Sequence, residues 1–174
     1  MRLERRELLK AAVLAAGVGA LESSIAAAMP QIGQRKQPRD KVQPIARYGH
    51  STALLQTGWV LVIGGLTEDG TLASCQIYDP NGDCWYEAAP LARARGNHSA
   101  TRMPDGRIAV LGGYDGGALA LASFYDPLAD KWEKARPLLT PRYKHTAQAL
   151  FDGRVVLTGG YNIGLLADAE VWSE

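Results

Sequence analysis

The chain contains the same sequence pattern three times. Each copy opens with Arg-x-x-His, continues through a turn that contains glycine, and reaches an apolar run that ends in Gly-Gly. Successive copies begin 48 and then 47 residues apart. Repetition at this period indicates one supersecondary unit copied in tandem, and each copy has to bury its apolar faces against a neighbour. The repeated positions are Arg47, His50, Gly64 and Gly65 in the first copy, Arg95, His98, Gly112 and Gly113 in the second, and Arg142, His145, Gly159 and Gly160 in the third.

The second copy shows most clearly which secondary structure a copy forms. Short apolar segments at 98–103, 107–111 and 119–126 are separated by turns and loops rich in Gly, Pro and Asp, and a fourth segment starts at Lys131. Turn signals at intervals of about 8–12 residues are typical of short antiparallel strands. No segment after residue 28 keeps a 3.6-residue apolar period, so we predict an all-β fold with four antiparallel strands per copy.

Two aromatic positions complete the pattern. A Tyr-Asp-Pro turn occurs at Tyr78 and Tyr125, and a tryptophan follows each tyrosine after seven residues, at Trp85 and Trp132. Together with the Gly-Gly strands and the Arg-x-x-His segments, these residues resemble the kelch repeat, specifically its bacterial, galactose-oxidase-type variety. The resemblance covers residues 47–174 and implies kelch-type blades of a β-propeller. The implied blades are residues 47–94, 95–141 and 142–174.

The third copy departs from the pattern. Trp172 stands in place of the tyrosine and no fourth strand follows it, so we expect two complete blades and a third lacking its last strand. A closed propeller has about 4–8 blades. Three explanations remain open: the chain is the front part of a longer protein, homo-oligomers close the ring, or three blades persist as an open arc. In the second case residues 42–46 could complete a blade of another copy.

The first 46 residues lie outside the repeats. A basic stretch with Arg5 and Arg6, the uncharged run 11–21 and an Ala-x-Ala site within 1–28 describe an export signal. The stretch Arg-Arg-Glu-Leu-Leu-Lys resembles a bacterial twin-arginine signal, which implies a periplasmic or secreted protein with no stable membrane span after cleavage. An uncleaved anchor and an amphipathic helix are the alternatives. Residues 29–46 are expected to be a linker with a possible closing strand.

The two cysteines, Cys75 and Cys84, both fall in the first copy. An exported protein could oxidise them to a disulfide. If they lie on the two strands of one hairpin, the turn at 79–82 places them at different levels, and their Cα atoms would exceed the separation of about 7 Å that a disulfide tolerates. We therefore favour free thiols, with a disulfide as the alternative.

The repeats account for the residues that resemble a reactive site. Three histidines at one repeated position indicate a packing or hydrogen-bonding role, and the three arginines are expected to hold neighbouring backbone or carboxylates. We expect no catalytic residue, no cofactor and no metal site in this chain. A net charge of +1 gives no global field that would recruit nucleic acid, so we expect no nucleic-acid partner.

Function is expected in loop residues that do not repeat. The loops that enter the first strand and those that leave the second strand should lie at one end of the propeller, where tyrosine and arginine anchor partners. We predict an exported scaffold that binds a protein or a carbohydrate. The alternative implied by the resemblance is part of a carbohydrate enzyme, a galactose-oxidase-like oxidoreductase or a sialic-acid isomerase. The candidate ligand-binding residues are Tyr48, Asn97, Tyr114, Asp115, Lys144, Tyr161 and Asn162.

Overall fold

The computed structural model describes residues 41–174. The predicted export signal at 1–28 and most of the predicted linker lie outside the described residues. The described part contains fourteen β-strands and no helix, so no helix within it could cross a membrane. The predicted all-β fold is confirmed.

The strands form three antiparallel sheets, one for each copy of the repeat, in the order outer to inner. The first sheet runs β1-β7-β6-β3-β2, with β1 (Lys41–Val42), β2 (Ser51–Leu54), β3 (Val60–Ile63), β6 (Cys75–Asp79) and β7 (Cys84–Ala88). The second runs β11-β10-β9-β8, with β8 (Ser99–Arg102), β9 (Ile108–Leu111), β10 (Ala122–Asp126) and β11 (Lys131–Lys134). The third runs β14-β13-β12, with β12 (Thr146–Ala149), β13 (Val155–Thr158) and β14 (Ala169–Trp172). A separate two-stranded ribbon joins β4 (Leu66–Thr67) and β5 (Gly70–Thr71).

These sheets are the predicted blades. The first two copies each contribute four meandering antiparallel strands, and the third contributes three. Two complete blades and a third without its last strand are therefore confirmed, and within residues 41–174 the blades do not close into a ring. The inner strands of neighbouring blades, β2 beside β8 and β8 beside β12, lie next to each other.

The first blade carries one additional strand on its outer edge. In β1, Lys41 pairs with Tyr86 and Val42 pairs with Trp85 of the same chain. The sequence analysis placed a possible closing strand here, acting on another copy, and that role stays a prediction. In this chain the segment covers the edge of β7, which removes exposed backbone N–H and C=O groups from the outside of the blade.

The core consists of two apolar layers, each between consecutive blades. Alternate residues of a strand point to opposite faces, so β9 contributes Val110 to the layer shared with the first blade and Leu111 to the layer shared with the third. Ile63 enters the first layer and Leu157 enters the second. All four side chains are fully buried, and each contributes about 1.5–3 kcal/mol to stability. The middle blade thus depends on both neighbours.

One tryptophan joins the second blade to the first, and another joins the third blade to the second. The indole Nε1 of Trp132 donates to the carbonyl of Ala89 at 2.7 Å, and its ring centroid lies 5.0 Å from that of Tyr125. Trp172 donates to the carbonyl of Arg136, also at 2.7 Å. Ala89 and Arg136 occupy the same place, six residues before the arginine of the following copy. Trp172 therefore makes, from the third strand, the bond that Trp132 makes from the fourth.

Replacing Trp132 tests how much this fastening contributes. We expect Trp132→Ala to lower the free energy of unfolding by about 3–5 kcal/mol, because it removes a large half-buried ring from the contact between blades. Trp132→Phe keeps most of the area and loses the hydrogen bond, for a cost of about 1 kcal/mol. Phe151→Ala, at a fully exposed ring, is the matched control. Urea unfolding followed by tryptophan fluorescence measures all three, and a loss below 1 kcal/mol for Trp132→Ala contradicts the assignment.

Candidate functional site

The repeated arginines bind backbone inside their own blades. In every copy, a guanidinium Nη1 donates to the carbonyl of the first glycine of the Gly-Gly pair, where the second strand ends. This bond joins the segment that enters the blade to the loop that leaves the second strand. The three bonds are Arg47 to Gly64 at 2.8 Å, Arg95 to Gly112 at 3.3 Å, and Arg142 to Gly159 at 2.9 Å.

The second half of each guanidinium has a different partner in each copy. Arg47 donates to the side-chain oxygen of Gln76 at 3.0 Å, and Arg95 donates to the hydroxyl of Ser123 at 2.9 Å. Arg142, fully buried, forms ion pairs with Asp168 at 3.0 Å and with Glu170 at 3.5 Å. Burial lowers the pKa of Arg95 to about 10, because its guanidinium is also buried and its hydrogen-bond partners, two backbone carbonyls and the Ser123 hydroxyl, are uncharged.

The histidines lie at the contacts between blades. The ring of His98 packs on Gly64 of the preceding copy, and the ring of His145 packs on Gly112, with Nε2 of His145 2.9 Å from the hydroxyl of Ser99. Burial lowers the pKa of His98 to about 3 and that of His145 to about 4, so both rings are neutral at pH 7. His50, at the same position of the first copy, is exposed. These rings are one blade apart and do not converge on a common point.

Residues 41–174 contain no group of three His, Cys, Asp or Glu side chains arranged to hold a metal ion. The two cysteines are free thiols, and both are buried. Cys75 lies opposite Ala88 and Cys84 lies opposite Asp79, at the two ends of the β6–β7 hairpin. Burial raises the pKa of Cys75 to about 11, which keeps this thiol protonated and unreactive at pH 7.

Short backbone bridges hold three of the seven candidate ligand-binding residues, Tyr48, Tyr114 and Tyr161, at one end of the blades. In each copy, the residue after the arginine pairs with the residue after Gly-Gly. We call the edge formed by these pairs the rim. The pairs are Tyr48 with Leu66, Gly96 with Tyr114, and Tyr143 with Tyr161.

Three rim tyrosines form a continuous aromatic row across the second and third blades. The ring centroids of Tyr114 and Tyr143 are 5.1 Å apart, and those of Tyr143 and Tyr161 are 5.5 Å apart. Both pairs are tilted, at 56° and 58°, a geometry that aromatic rings favour. We call Tyr114, Tyr143 and Tyr161 the tyrosine row.

The hydroxyl groups of the row distinguish it from the structural tyrosines. Tyr78 donates to Asp83 at 2.8 Å, and Tyr125 donates to Asp130 at 2.6 Å. Among the residues that the structure describes, none accepts or donates a hydrogen bond at the hydroxyl groups of the row. The row therefore presents three polar groups together with its aromatic surface.

One backbone position near the rim has a left-handed conformation in all three copies. The residues before the three histidines, Gly49, Asn97 and Lys144, all have left-handed φ, at 59°, 53° and 53°. The N–H of Asn97 donates to the carbonyl of Gly49 at 2.6 Å, and that of Lys144 donates to the carbonyl of Asn97 at 2.8 Å. A lysine in this region costs about 1–2 kcal/mol, which the hydrogen-bonded backbone has to offset. Strained residues of this kind cluster at ligand sites.

The remaining candidates differ in how available they are. Tyr48 is 63% exposed on the rim of the first blade. Asp115 accepts from the hydroxyl of Thr71 at 2.6 Å and from Arg93 at 3.1 Å, so its carboxylate ties the second blade to the first. Both contacts lower the pKa of Asp115. Asn162 lies in a turn, where its N–H donates to the carbonyl of Gly164 at 3.0 Å.

Tyr143 was not among the ligand-binding residues predicted from the sequence, although it is the middle ring of the row. A signal was present, because Tyr143 follows the repeated arginine at the place where Tyr48 follows it in the first copy. Comparison of the sequence with protein-family models and with curated proteins found no match.

The buried histidines make stability depend on pH. Their folded pKa values lie below the unfolded value of about 6.5, so below pH 6.5 the unfolded chain binds protons that the folded chain does not. We expect the free energy of unfolding to fall between pH 6.5 and 5, with a slope for each buried histidine that approaches about 1.4 kcal/mol per pH unit at the acidic end of this range.

Single variants separate the two buried histidines in this experiment. His98→Gln and His145→Gln should each reduce the pH slope by about half. Urea unfolding at several pH values gives the slopes. A wild-type stability that is constant between pH 6.5 and 5 contradicts the prediction.

Proposed function

We propose that this protein is an exported, kelch-type β-propeller scaffold that binds carbohydrate through the tyrosine row. The observation that carries the proposal is the row itself, three rings in tilted contact whose hydroxyl groups have no partner among the described residues. Tyrosine offers a large rigid apolar area and one polar group, and sugars present apolar C–H faces bordered by hydroxyl groups. The row likewise combines apolar ring faces with polar hydroxyl groups.

The surroundings of the row suit a polar, uncharged ligand. Lys144 is exposed and Asn97 is half-buried, and both have left-handed φ at the equivalent position of their copies. Amide and ammonium groups can donate to sugar hydroxyls without requiring a charged ligand. Asp115, the nearest acidic candidate, is already engaged by Thr71 and Arg93. A carbohydrate is therefore favoured over a basic peptide as the ligand.

The kelch assignment is supported by the contacts that the repeated residues make. The arginine-to-glycine bond occurs in all three copies, and a tryptophan bond to the preceding blade occurs in two. Placement of the protein in the periplasm or outside the cell is part of the proposal and depends on residues 1–28, whose composition is that of a twin-arginine signal.

Substitution in the row tests the proposal. An array of immobilised oligosaccharides identifies a bound sugar, and isothermal titration then measures its affinity for the variants. Tyr161→Ala, at a ring that is 37% exposed, should weaken binding at least about 10-fold, as expected for an aromatic side chain that anchors a ligand. Tyr161→Phe should weaken it less, since only the hydroxyl is lost. Phe151→Ala, an exposed ring outside the row, should bind as the wild type does.

Three outcomes would contradict this function. Failure to bind any oligosaccharide on the array, combined with capture of a peptide ligand that depends on Tyr161, would identify a protein-binding scaffold instead. Equal loss of affinity in Tyr161→Ala and Phe151→Ala would exclude the row as the site. Turnover of a sugar by the purified chain, or retention of copper, would favour the carbohydrate-enzyme alternative.

A further inference from the structure

The two contacts between consecutive blades use the same backbone hydrogen bonds. In both, the second glycine of Gly-Gly donates its N–H to the carbonyl of the next copy's arginine, and that arginine donates its own N–H to a leucine carbonyl. The residue two places after that arginine, Asn97 or Lys144, also donates its N–H to the carbonyl of the residue before the histidine of the preceding copy, Gly49 or Asn97. We call this arrangement the junction. Its bonds are Gly65 to Arg95 at 3.0 Å and Arg95 to Leu72 at 3.1 Å in the first junction, and Gly113 to Arg142 at 2.8 Å and Arg142 to Leu119 at 3.1 Å in the second.

The groups that would form a third junction are present at the two ends of the blade array. At the first blade, which we call the head, these are the N–H and carbonyl of Arg47 and the N–H of Gly49. At the third blade, which we call the tail, they are the N–H of Gly160 and the carbonyls of Leu166 and Lys144. None of them has a backbone partner within residues 41–174. Each donor on one end matches an acceptor on the other.

The tail also has open space where the first two blades are filled. A Cβ atom at Gly64 would lie 2.5 Å from the carbonyl oxygen of Arg95, and one at Gly112 would lie 2.4 Å from that of Arg142. At Gly159, within the described part of the chain, the nearest atom would be the carbonyl oxygen of its own blade's Leu166, at 3.7 Å. The space beside Gly159 therefore corresponds to the space beside Gly64 and Gly112 that the next copy fills with an arginine carbonyl and a histidine ring.

The face of the third blade has the layout of a face that is covered elsewhere. Val156 and Val171 occupy the positions of Ala109 and Phe124 in the second blade, which are buried against the third. Val156 is half-buried and Val171 is 55% exposed. Thr158, at the position of the buried Leu111, is polar and exposed, so the apolar part of this face lies at Val156 and Val171. An exposed apolar patch beside backbone groups that have no partner within residues 41–174 is a surface for protein association.

The rim continues this correspondence. In the second junction, Tyr114 stacks on Tyr143, the residue that follows the incoming arginine. At a third junction the corresponding pair is Tyr161 of the tail and Tyr48 of the head. Both rings are substantially exposed in the isolated chain.

We propose that the head of one molecule docks on the tail of a second copy of this chain, through a junction of the same form. The Arg47–His50 segment then occupies the place beside Gly159 and Gly160 that Arg142 and His145 occupy beside the second blade. Two copies related by a twofold axis would form two such junctions and a ring of six blades, within the range of closed propellers. The backbone contacts of this interface do not require a bound carbohydrate, although Tyr161 belongs both to the tyrosine row and to the tail.

Glycine variants test the interface without disturbing the isolated fold. Asparagine tolerates left-handed φ, so Gly159→Asn, at φ 63°, should fold and yet place a side chain where the second copy docks. Gly153→Asn is the matched control, since Gly153 has φ 86°, lies in the same blade, and likewise has open space around it. His50→Glu, at an exposed ring of the head, places a charge in the same interface from the other side.

Sedimentation equilibrium of the full chain at micromolar concentration gives the result. We expect a dimer for the wild type and for Gly153→Asn, and a dissociation constant raised about 10- to 100-fold in Gly159→Asn and His50→Glu. Circular dichroism establishes that each variant is folded. A folded monomeric wild type would overturn the proposal, as would a dimer that Gly159→Asn and His50→Glu leave intact.

Discussion

The bond from each repeated arginine to a glycine carbonyl is the contact on which the rest of the structure depends. The side chain of Arg95 binds the Gly112 carbonyl of its own blade, while its backbone accepts from Gly65 and donates to Leu72 of the preceding blade. One residue therefore fixes the geometry within a blade and the position of that blade on its neighbour. Removal of the guanidinium would leave buried carbonyls without a donor, which costs more than the bond itself contributes.

This contact also explains why glycine is required where the second strand ends. Gly64 and Gly112 have left-handed φ values of 52° and 64°, and the next arginine's carbonyl oxygen occupies the space that a Cβ would need. The requirement therefore has two causes, backbone conformation and close approach of a neighbouring blade. At Gly159 the second cause is absent within the described chain, and only the conformation remains. The same sequence position thus has different tolerance in different copies.

The three repeated arginines differ in the charge of their partners, and the positive charge is balanced most fully in the third copy. Arg142 has two carboxylate partners, and the carboxylate of Glu170 also accepts from the N–H of Leu139 at 2.7 Å. Arg95 has neutral partners in an equally buried position, and desolvation lowers its pKa. Because a buried charge is costly without a counter-charge, the second blade depends on the strength of its neutral hydrogen bonds.

The sequence predicted the repeated parts of the structure and failed where tertiary contacts decide. The predicted strand at 98–103 corresponds to Ser99–Arg102, because alternation and turn residues are local signals. A possible closing strand was expected in the segment that contains Lys41–Val42, but its pairing with β7 of the same chain is a tertiary contact that local signals do not reveal. Likewise the engagement of Asp115 by Arg93 requires that two loops meet, which spacing alone does not reveal. Tyr143 was overlooked because it lies among residues assigned to the repeat.

The proposed ligand site and the proposed junction share the rim, and this links two otherwise separate functions. The row ends at Tyr161, and a docked head would continue it with Tyr48 of the second copy, as Tyr143 continues it after Tyr114. A ligand long enough to contact both rings would bind the joined form more tightly than the separate chain. By linkage, such a ligand would then strengthen association by the same factor by which association strengthens its binding. A short ligand confined to Tyr114 and Tyr143 would have no differential contact with the two forms and would leave association unchanged.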